Sequence, residues 1–362
     1  MKNFGFGCMR LPMVGSEVDL QQFSVMVDRF LASGFTYFDT AHGYIQGKSE
    51  IALRECLVRR YPREQYVLTD KLTAHFFNNQ EDLPGLFAVQ LEKTGVAYFD
   101  YYLMHALNED FYRKFMRCGA FDFAKELKVQ GKIRHIGVSF HDKAEVLDRI
   151  LSEHPEVEVV QIQFNYADYD DPTIQSKAVY DVCVKHNRPV IVMEPCKGGG
   201  LVNLPDEAGR VLDALGGSPA SYAIRYAASF PKVMMVLSGM SSLEQLEENI
   251  GYMTDFRPLT NPEYSAIDHV RDILKSQDLI ACTACRYCTD GCPKSISIPD
   301  LFACYNKKNQ FKDWNSDFYY MVNTAGKGKA SDCIQCGKCE KECPQHLPIR
   351  DLLKDVAAAL ER

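Results

Sequence analysis

The sequence predicts an α/β fold: a closed (β/α)8 (TIM) barrel over residues 1–258, followed by a small, mainly helical domain over residues 259–362. Three observations predict it. Short apolar runs recur from Phe35 to Gly239, each followed by a longer helix-periodic stretch; no Gly-x-Gly-x-x-Gly turn follows any of them; and cysteines crowd the C-terminal part of the 362-residue chain. A chain this long exceeds one average domain, and 46% hydrophobic against 25% charged residues is ordinary for a protein with a full core.

The runs are Phe35–Phe38, Tyr66–Thr69, Tyr101–Met104, Arg134–Val138, Val159–Gln163, Val190–Met193 and Val233–Leu237. Amphipathic stretches such as Leu20–Ser33 and Ala144–Ser152 lie between them, so each run reads as the strand of one βα unit in a parallel sheet. Seven units are legible and an eighth is not. Their recurrence favours a closed barrel over an open sheet, and the missing Gly-rich turn argues against a Rossmann arrangement. Pro258 and Pro262 break the preceding helix and mark the expected domain boundary. Beyond them Glu263–Leu279 reads as an amphipathic helix, and Pro299–Thr324 is rich in aromatics (Phe302, Tyr305, Phe311, Trp314, Phe318, Tyr319, Tyr320) expected to pack as core.

The C-terminal part contains Cys282-x2-Cys285-x2-Cys288-x3-Cys292-Pro293 and then Cys333-x2-Cys336-x2-Cys339-x3-Cys343-Pro344. A Cys-x2-Cys-x2-Cys loop wraps three thiolates around one cubane, while the fourth Cys, before Pro, points towards a second one. The expected ligand sets of two [4Fe-4S] clusters are therefore Cys282, Cys285, Cys288 and Cys343 for one, and Cys333, Cys336, Cys339 and Cys292 for the other. A ferredoxin-like domain follows from that pattern. A zinc site would leave the third and fourth Cys of each run without work, and a disulfide framework would need an oxidising compartment. Six further cysteines (Cys8, Cys56, Cys118, Cys183, Cys196, Cys304) read as small buried hydrophobes.

Charge and composition narrow the partners. A net charge of −7 argues against a nucleic-acid surface. No apolar run has the length of a bilayer span, and Met1-Lys2-Asn3-Phe4 opens no export signal, so a cytoplasmic protein without membrane or nucleic-acid partners is expected.

In a parallel barrel the chemistry sits where strands end. Those positions carry Asp39 with Tyr44 in the following loop, Lys71, His105, Ser139, Asn165, Glu194 and Ser238-Gly239. A phenol is a weak acid at neutral pH unless an ammonium stabilises its phenolate. Lys71 can do so, Asp39 can hold Lys71, and His105 can hydrogen-bond a carbonyl oxygen. Tyr44 is then the proton donor to a carbonyl and the acceptor from an alcohol.

The strings Phe38-Asp39-Thr40-Ala41-His42-Gly43-Tyr44, Gly47-Lys48-Ser49-Glu50, Thr69-Asp70-Lys71, Tyr102-Leu103-Met104-His105 and Gly137-Val138-Ser139 resemble the aldo/keto reductase family in order and spacing. The resemblance spans residues 1–258, and the tail is similar to the branch of that family with a C-terminal dicluster ferredoxin domain. It implies a catalytic tetrad at Asp39, Tyr44, Lys71 and His105, a small-molecule carbonyl or alcohol substrate and an NAD(P)H cofactor. It also implies that Ser139 and Gln161 hold the carboxamide, that Met193 lies beside the nicotinamide, and that Gly239, Ser241, Gln245, Glu248 and Asn249 hold the adenosine end. The helix beginning near Leu243 would offer free N–H groups to phosphate oxygens.

The chain departs from the family pattern at Phe140, where an Asn is usual, at Met193 for an aromatic and at Glu194 for a small polar residue. The adenosine segment also has no Arg or Lys between Gly239 and Asn249. NADH and NADPH both stay open, as does FMN in the same pocket. Met193–Gly200, with three glycines and Lys197, reads either as a phosphate cradle or as a flexible loop. Hydride carries two electrons and each cluster takes one. A flavin would split the pair; otherwise the clusters are structural, or feed a substrate directly. Lys307, Lys308, Lys312, Lys327 and Lys329 read as a docking face for ferredoxin or flavodoxin, with a plain solvated surface as the alternative. The readings left open are thus a nicotinamide-dependent carbonyl reductase, a flavin- or ferredoxin-linked reductase, and a non-enzymatic redox sensor.

Overall fold

Eight parallel strands close the barrel: β1 Phe4–Gly7, β2 Tyr37–Asp39, β3 Val67–Thr73, β4 Phe99–Leu107, β5 Ile133–Phe140, β6 Val159–Gln163, β7 Val190–Met193 and β8 Val233–Ser238. Each pairs with the next in sequence, and β8 returns to β1 through Phe4↔Val236 and Phe6↔Ser238. The computed structural model describes all residues except 1, 172–173, 277–278, 281, 283–285, 312–314, 344–346 and 362, with the backbone alone at Tyr287 and Asp290. All seven expected strands are present, and β1 is the eighth.

The Phe-Gly-Phe-Gly sequence of β1 explains why no apolar run announced it. A Cβ on Gly5 would lie 2.8 Å from Leu237 and 3.0 Å from both Met235 and Tyr37. The side chains that fill the barrel, Tyr37, Leu103, Val159, Ile191, Met235 and Leu237, leave no room there. Phe4 and Phe6 are fully buried in an aromatic cluster, with the Phe6 ring centroid 5.6 Å from Phe23 and 5.5 Å from Phe30 of the helix Leu20–Ala32. Asp19 caps that helix by accepting from the Gln22 N–H at 2.9 Å.

Gly137 of β5 plays the same part as Gly5. A Cβ there would meet Leu103 Cδ2 at 2.4 Å, Val159 Cγ1 at 2.6 Å and the Val159 carbonyl at 2.9 Å. Backbone cannot move aside as a side-chain tip can. Gly137→Ala is therefore expected to cost about 3 kcal/mol or more, at the upper end of overpacking, measurable as a lowered denaturant midpoint with an unchanged slope.

Contacts divide the chain into two units. The first holds the barrel and comprises Met1–Tyr169, Ile174–Pro195 and Ser221–Thr260; the second comprises Asp170–Thr173, Cys196–Ala220 and Asn261–Arg362. In the second, helices Ile298–Phe311, Asn315–Thr324 and Ile349–Leu360 enclose a core of Ile296, Ile298, Leu301, Phe302, Leu353 and Val356 that includes Cys288, Cys339 and Cys343. The expected helix over 263–279 runs from Asn261 to Lys275. Of the expected core aromatics, Phe302 and Tyr320 are buried in it, Tyr305 and Tyr319 pack against it, and Phe318 is exposed. Trp314 and Lys312 lie outside the described residues.

Of the glycines in Met193–Gly200, Gly200 serves packing, while a Cβ on Gly199 would meet nothing within 4 Å. A Cβ on Gly200 would stand 2.6 Å from Cβ of Phe311, and the buried Lys197 places its ammonium 4.8 Å from the centre of that ring. Among the described residues no helix is long and apolar enough to cross a membrane.

Candidate active site and cluster cysteines

Parallel register brings Asp39 at the end of β2, Lys71 on β3 and His105 on β4 to one end of the barrel. Lys71 is fully buried. Its three ammonium hydrogens face three acceptors: Asp39 Oδ1 at 2.5 Å, the Thr40 carbonyl at 2.8 Å and Tyr44 Oη at 3.2 Å. Because Lys71 donates to the phenol oxygen, the phenol's own hydrogen is turned elsewhere. Burial pulls the Lys71 ammonium down, but the neighbouring Asp39 carboxylate and Tyr44 more than offset it and hold it above its ordinary value. Burial likewise pushes the Tyr44 phenol up, and together with the charges of Asp39 and Asp70 it outweighs the lowering by Lys71. The expected net lowering is not found; Tyr44 stays a protonated phenol at neutral pH.

Tyr44 sits on the loop after β2. Its N–H donates to the Ala41 carbonyl at 3.0 Å, and the next three residues, Ile45, Gln46 and Gly47, all have positive φ. For a β-branched Ile that backbone is costly, about 1–3 kcal/mol. On β4 the pairing with β5 is irregular between Met104 and Leu107, with Ala106 at φ 56°. A bulge of this kind re-aims the neighbouring side chain. His105 Nδ1 lies 2.7 Å from Thr73 Oγ1, and its ring meets that of Tyr44 edge-on at 5.8 Å. Burial first, then the charges of Lys71, His141 and His75, hold His105 well below the ordinary imidazole value, so it is neutral. Thr73 escaped the sequence reading, although it lies two residues after Lys71 and so on the same face of β3.

Ser139 and Gln161 are cross-strand partners on β5 and β6. The Ser139 hydroxyl is buried and has no hydrogen-bond partner among the described residues. An unpaired buried hydroxyl is costly, and a ligand amide would satisfy it. Gln161 is already engaged, donating to Asp39 Oδ2 at 2.9 Å, so both Asp39 oxygens are held. Met193 ends β7 opposite Gln163 and is half-buried; Glu194 follows at φ 54°, its carbonyl accepting from Asn165 at 3.1 Å.

Beyond β8, Ser242 caps the helix Leu243–Met253. The Ser241 N–H donates to Gln245 Oε1 at 2.8 Å; Ser241, Gln245 and Glu248 are exposed. Asn249 is buried, donating to Ser238 Oγ at 3.1 Å and accepting from Tyr252, which ties the helix to the strand. The stem of Arg10 lies against Gly239, with Cβ 3.2 Å from where a Gly239 Cβ would stand, and its carbonyl accepts from Ser241 Oγ at 3.3 Å.

In the second unit Cys292, Cys333, Cys336 and Cys339 line one small cavity, together with Pro293, Ile296 and Leu353. Cys292 of the first run thus lines the same cavity as three cysteines of the second, although among the described residues no three ligating side chains are grouped closely enough to hold a metal ion. A purely thiol donor set in a mainly apolar wall suits an iron-sulfur cluster. Cys282, Cys288 and Cys343 belong to the same core, and Cys285 lies outside the described residues. Of the remaining cysteines, Cys8, Cys56, Cys118, Cys183 and Cys304 are buried and Cys196 is half-buried. Burial pushes the Cys183 thiol up to about 12, which suits packing and not reactivity.

Comparison with known proteins agrees with this division. Residues 3–272 match the aldo/keto reductase family, and residues 281–348 match the 4Fe-4S dicluster domain. No curated protein matches the chain. An aldo-keto reductase from Klebsiella pneumoniae, solved in complex with NADPH, is 19% identical, with a TM-score of 0.61, covering 74% of this chain and 90% of its own. The holo form of an aldo-keto reductase from Bacillus halodurans is 22% identical, with a TM-score of 0.61 and coverage of 74% and 91%. Both likenesses concern the barrel fold. With its closed eight-stranded barrel and its family match over three quarters of its length, the chain belongs to the aldo/keto reductase family of oxidoreductases and carries a C-terminal 4Fe-4S dicluster domain.

Proposed function

We propose that the protein interconverts a small-molecule carbonyl and an alcohol with NADPH and carries two [4Fe-4S] clusters. The observation behind this reading is the Lys71 ammonium with every hydrogen committed, one of them to Tyr44 Oη. Tyr44 donates its proton to the carbonyl oxygen, neutral His105 hydrogen-bonds the same oxygen, and Asp39 keeps Lys71 charged and in place. When bound, the nicotinamide supplies hydride. Ser139 and Gln161 orient its carboxamide, Met193 packs beside it, and Gly239, Ser241, Gln245 and Glu248 hold the adenosine end, with Asn249 acting through Ser238. Arg10 beside Gly239 favours NADPH, because a 2′-phosphate needs a cation there.

Cys292, Cys333, Cys336 and Cys339 would hold one cluster, and Cys282, Cys285, Cys288 and Cys343 the other. Each supplies one-electron chemistry when present. Ferredoxin or flavodoxin is the proposed carrier. Of the lysines first assigned to its docking, Lys308 is paired with Asp317 at 2.6 Å, whereas Lys327 and Lys329 are exposed. Lys294 and Lys338, which line the thiol cavity and are exposed, add to that charge.

The test is anaerobic purification, cofactor extraction, and turnover of an aldehyde panel with NADPH or NADH. Oxidation of NADPH with alcohol formation supports the reading; extracted FMN with no nicotinamide turnover would replace it with the flavin-linked one. Ser139→Ala is expected to weaken NADPH binding about fivefold, the worth of about 1 kcal/mol for one hydrogen bond. Stability should not fall, since the hydroxyl has no partner to lose. Fluorescence titration and a denaturant curve check both.

A further inference from the structure

A neutral imidazole carries a single ring hydrogen, and the nitrogen that holds it decides what His105 can do. With the hydrogen on Nε2 the ring donates from that side. With the hydrogen on Nδ1, Nε2 can only accept, and a carbonyl oxygen has nothing to give it. The choice is set by whatever binds the other nitrogen. Here that partner is Thr73, whose Oγ1 lies 2.7 Å from His105 Nδ1.

The contact is built into the sheet. Thr73 and His105 are direct partners in the pairing of β3 with β4, and Thr73 projects from the same face of β3 as Lys71. Just past Thr73 the chain is pinned, because the Ala74 carbonyl accepts from Lys114 Nζ of the helix Glu109–Arg117 at 2.7 Å. Thr73 is buried, and its hydroxyl makes no other hydrogen bond among the described residues. A hydroxyl can donate or accept, so two arrangements fit the distance. If Nδ1 carried the ring hydrogen it would donate to Oγ1, and the hydroxyl hydrogen would be left at a buried position without an acceptor among the described residues, which is costly. If Nδ1 is bare it accepts that hydrogen, and no donor is left over. The second arrangement is therefore the favoured one. A second ring proton is opposed by burial first and then by the charges of Lys71, His141 and His75. Across the ring from Thr73, Nε2 makes no hydrogen bond among the described residues, and the edge-on contact with the Tyr44 ring at 5.8 Å restrains the tilt.

We propose that Thr73 is a positioning residue: its hydroxyl donates to His105 Nδ1 and so holds the imidazole hydrogen on Nε2, the tautomer that donates to the substrate oxygen. The consequence for turnover rests on the carbonyl-reductase reading; the tautomer does not. The substrate oxygen then receives two hydrogens, one from Tyr44 Oη and one from His105 Nε2, and Thr73 acts through His105 alone.

Nitrogen NMR of the whole protein, purified anaerobically and labelled in its histidine rings, is the first measurement, because it needs no substrate. The His105 signals are assigned by their loss in His105→Asn. A bare Nδ1 and a protonated Nε2 are expected; a hydrogen on Nδ1 overturns the proposal. Thr73→Val keeps the shape and removes the hydroxyl, so the Nδ1–H tautomer should become populated, and Thr73→Ser, which restores the donor, should return the parent spectrum. A Val variant with the parent spectrum would show that Thr73 does not set the tautomer. In turnover, Thr73→Val should lower kcat about 3- to 10-fold, the worth of one hydrogen bond, with KM for NADPH unchanged, and Thr73→Ser should restore it. A Val variant at the parent rate, or a Ser variant as slow as Val, sinks the positioning role. Should the Val variant fail to fold, which a denaturant curve reveals, the parent and Ser spectra still decide. Failure of carbonyl reduction itself would be seen separately, since the spectra do not depend on it.

Discussion

Tyr44→Phe should reduce kcat for carbonyl reduction by about 10²- to 10⁴-fold, the usual worth of a positioned general acid, and leave NADPH affinity and iron content intact. The substitution removes one oxygen and keeps the ring that packs edge-on against His105. It leaves Lys71 with Asp39 and the Thr40 carbonyl, so the buried ammonium keeps two of its three acceptors and the fold is not put at risk. Hydride transfer without a proton for the developing alkoxide is the step that fails. The proton is also what ties rate to pH: burial holds the phenol above its ordinary value, so the donor form persists through the neutral range and reduction is favoured there, with alcohol oxidation rising only at alkaline pH. Single-turnover measurement of NADPH oxidation checks the magnitude. A Phe variant that turns over at the parent rate would remove Tyr44 from the mechanism.

The cysteines carry the second large effect. Cys292→Ala and Cys339→Ala should each remove one of two clusters, taking iron from about eight to about four atoms per chain. The double variant should still hold about four. That last result separates two wirings: if each run of four closed on its own cluster, Cys292 and Cys339 would belong to different sites and the double variant would lose both. The cavity that gathers Cys292 with Cys333, Cys336 and Cys339 is the reason to expect the crossed arrangement. Cys343→Ala should then remove the other cluster, and Cys343→Ala with Cys292→Ala should remove both. Iron analysis with the visible spectrum of anaerobic protein decides, and zinc in place of iron would end the cluster reading.

Most of the barrel could be read from the chain, for a physical reason. A strand buried on both faces must be apolar along its length, so β2 to β8 appear as runs such as Val159–Gln163 and Val190–Met193. Strand β1 did not, because its inward positions are glycines, and a glycine carries no sign of the side chains that crowd it. The same holds for Gly200, whose neighbour Phe311 is distant in sequence.

Local spacing by itself determined the thiol-rich tail, and the recurrence of apolar runs the order of Asp39, Tyr44, Lys71 and His105, because Asp39, Lys71 and His105 each lie just after their own run and Tyr44 in the loop after the first. Tertiary structure decided what each group faces. Only folding shows that Lys71 spends its last hydrogen on Tyr44, that Thr73 holds His105, and that Gln161 is engaged with Asp39. It also reverses the expected direction for the Tyr44 phenol, since burial is a property of the packed molecule and no spacing of charges along the chain contains it. Asp70 shows the division most plainly: beside Lys71 in sequence, it is carried by the two-residue repeat of a strand to the opposite face, where its Oδ2 is buried without a donor among the described residues.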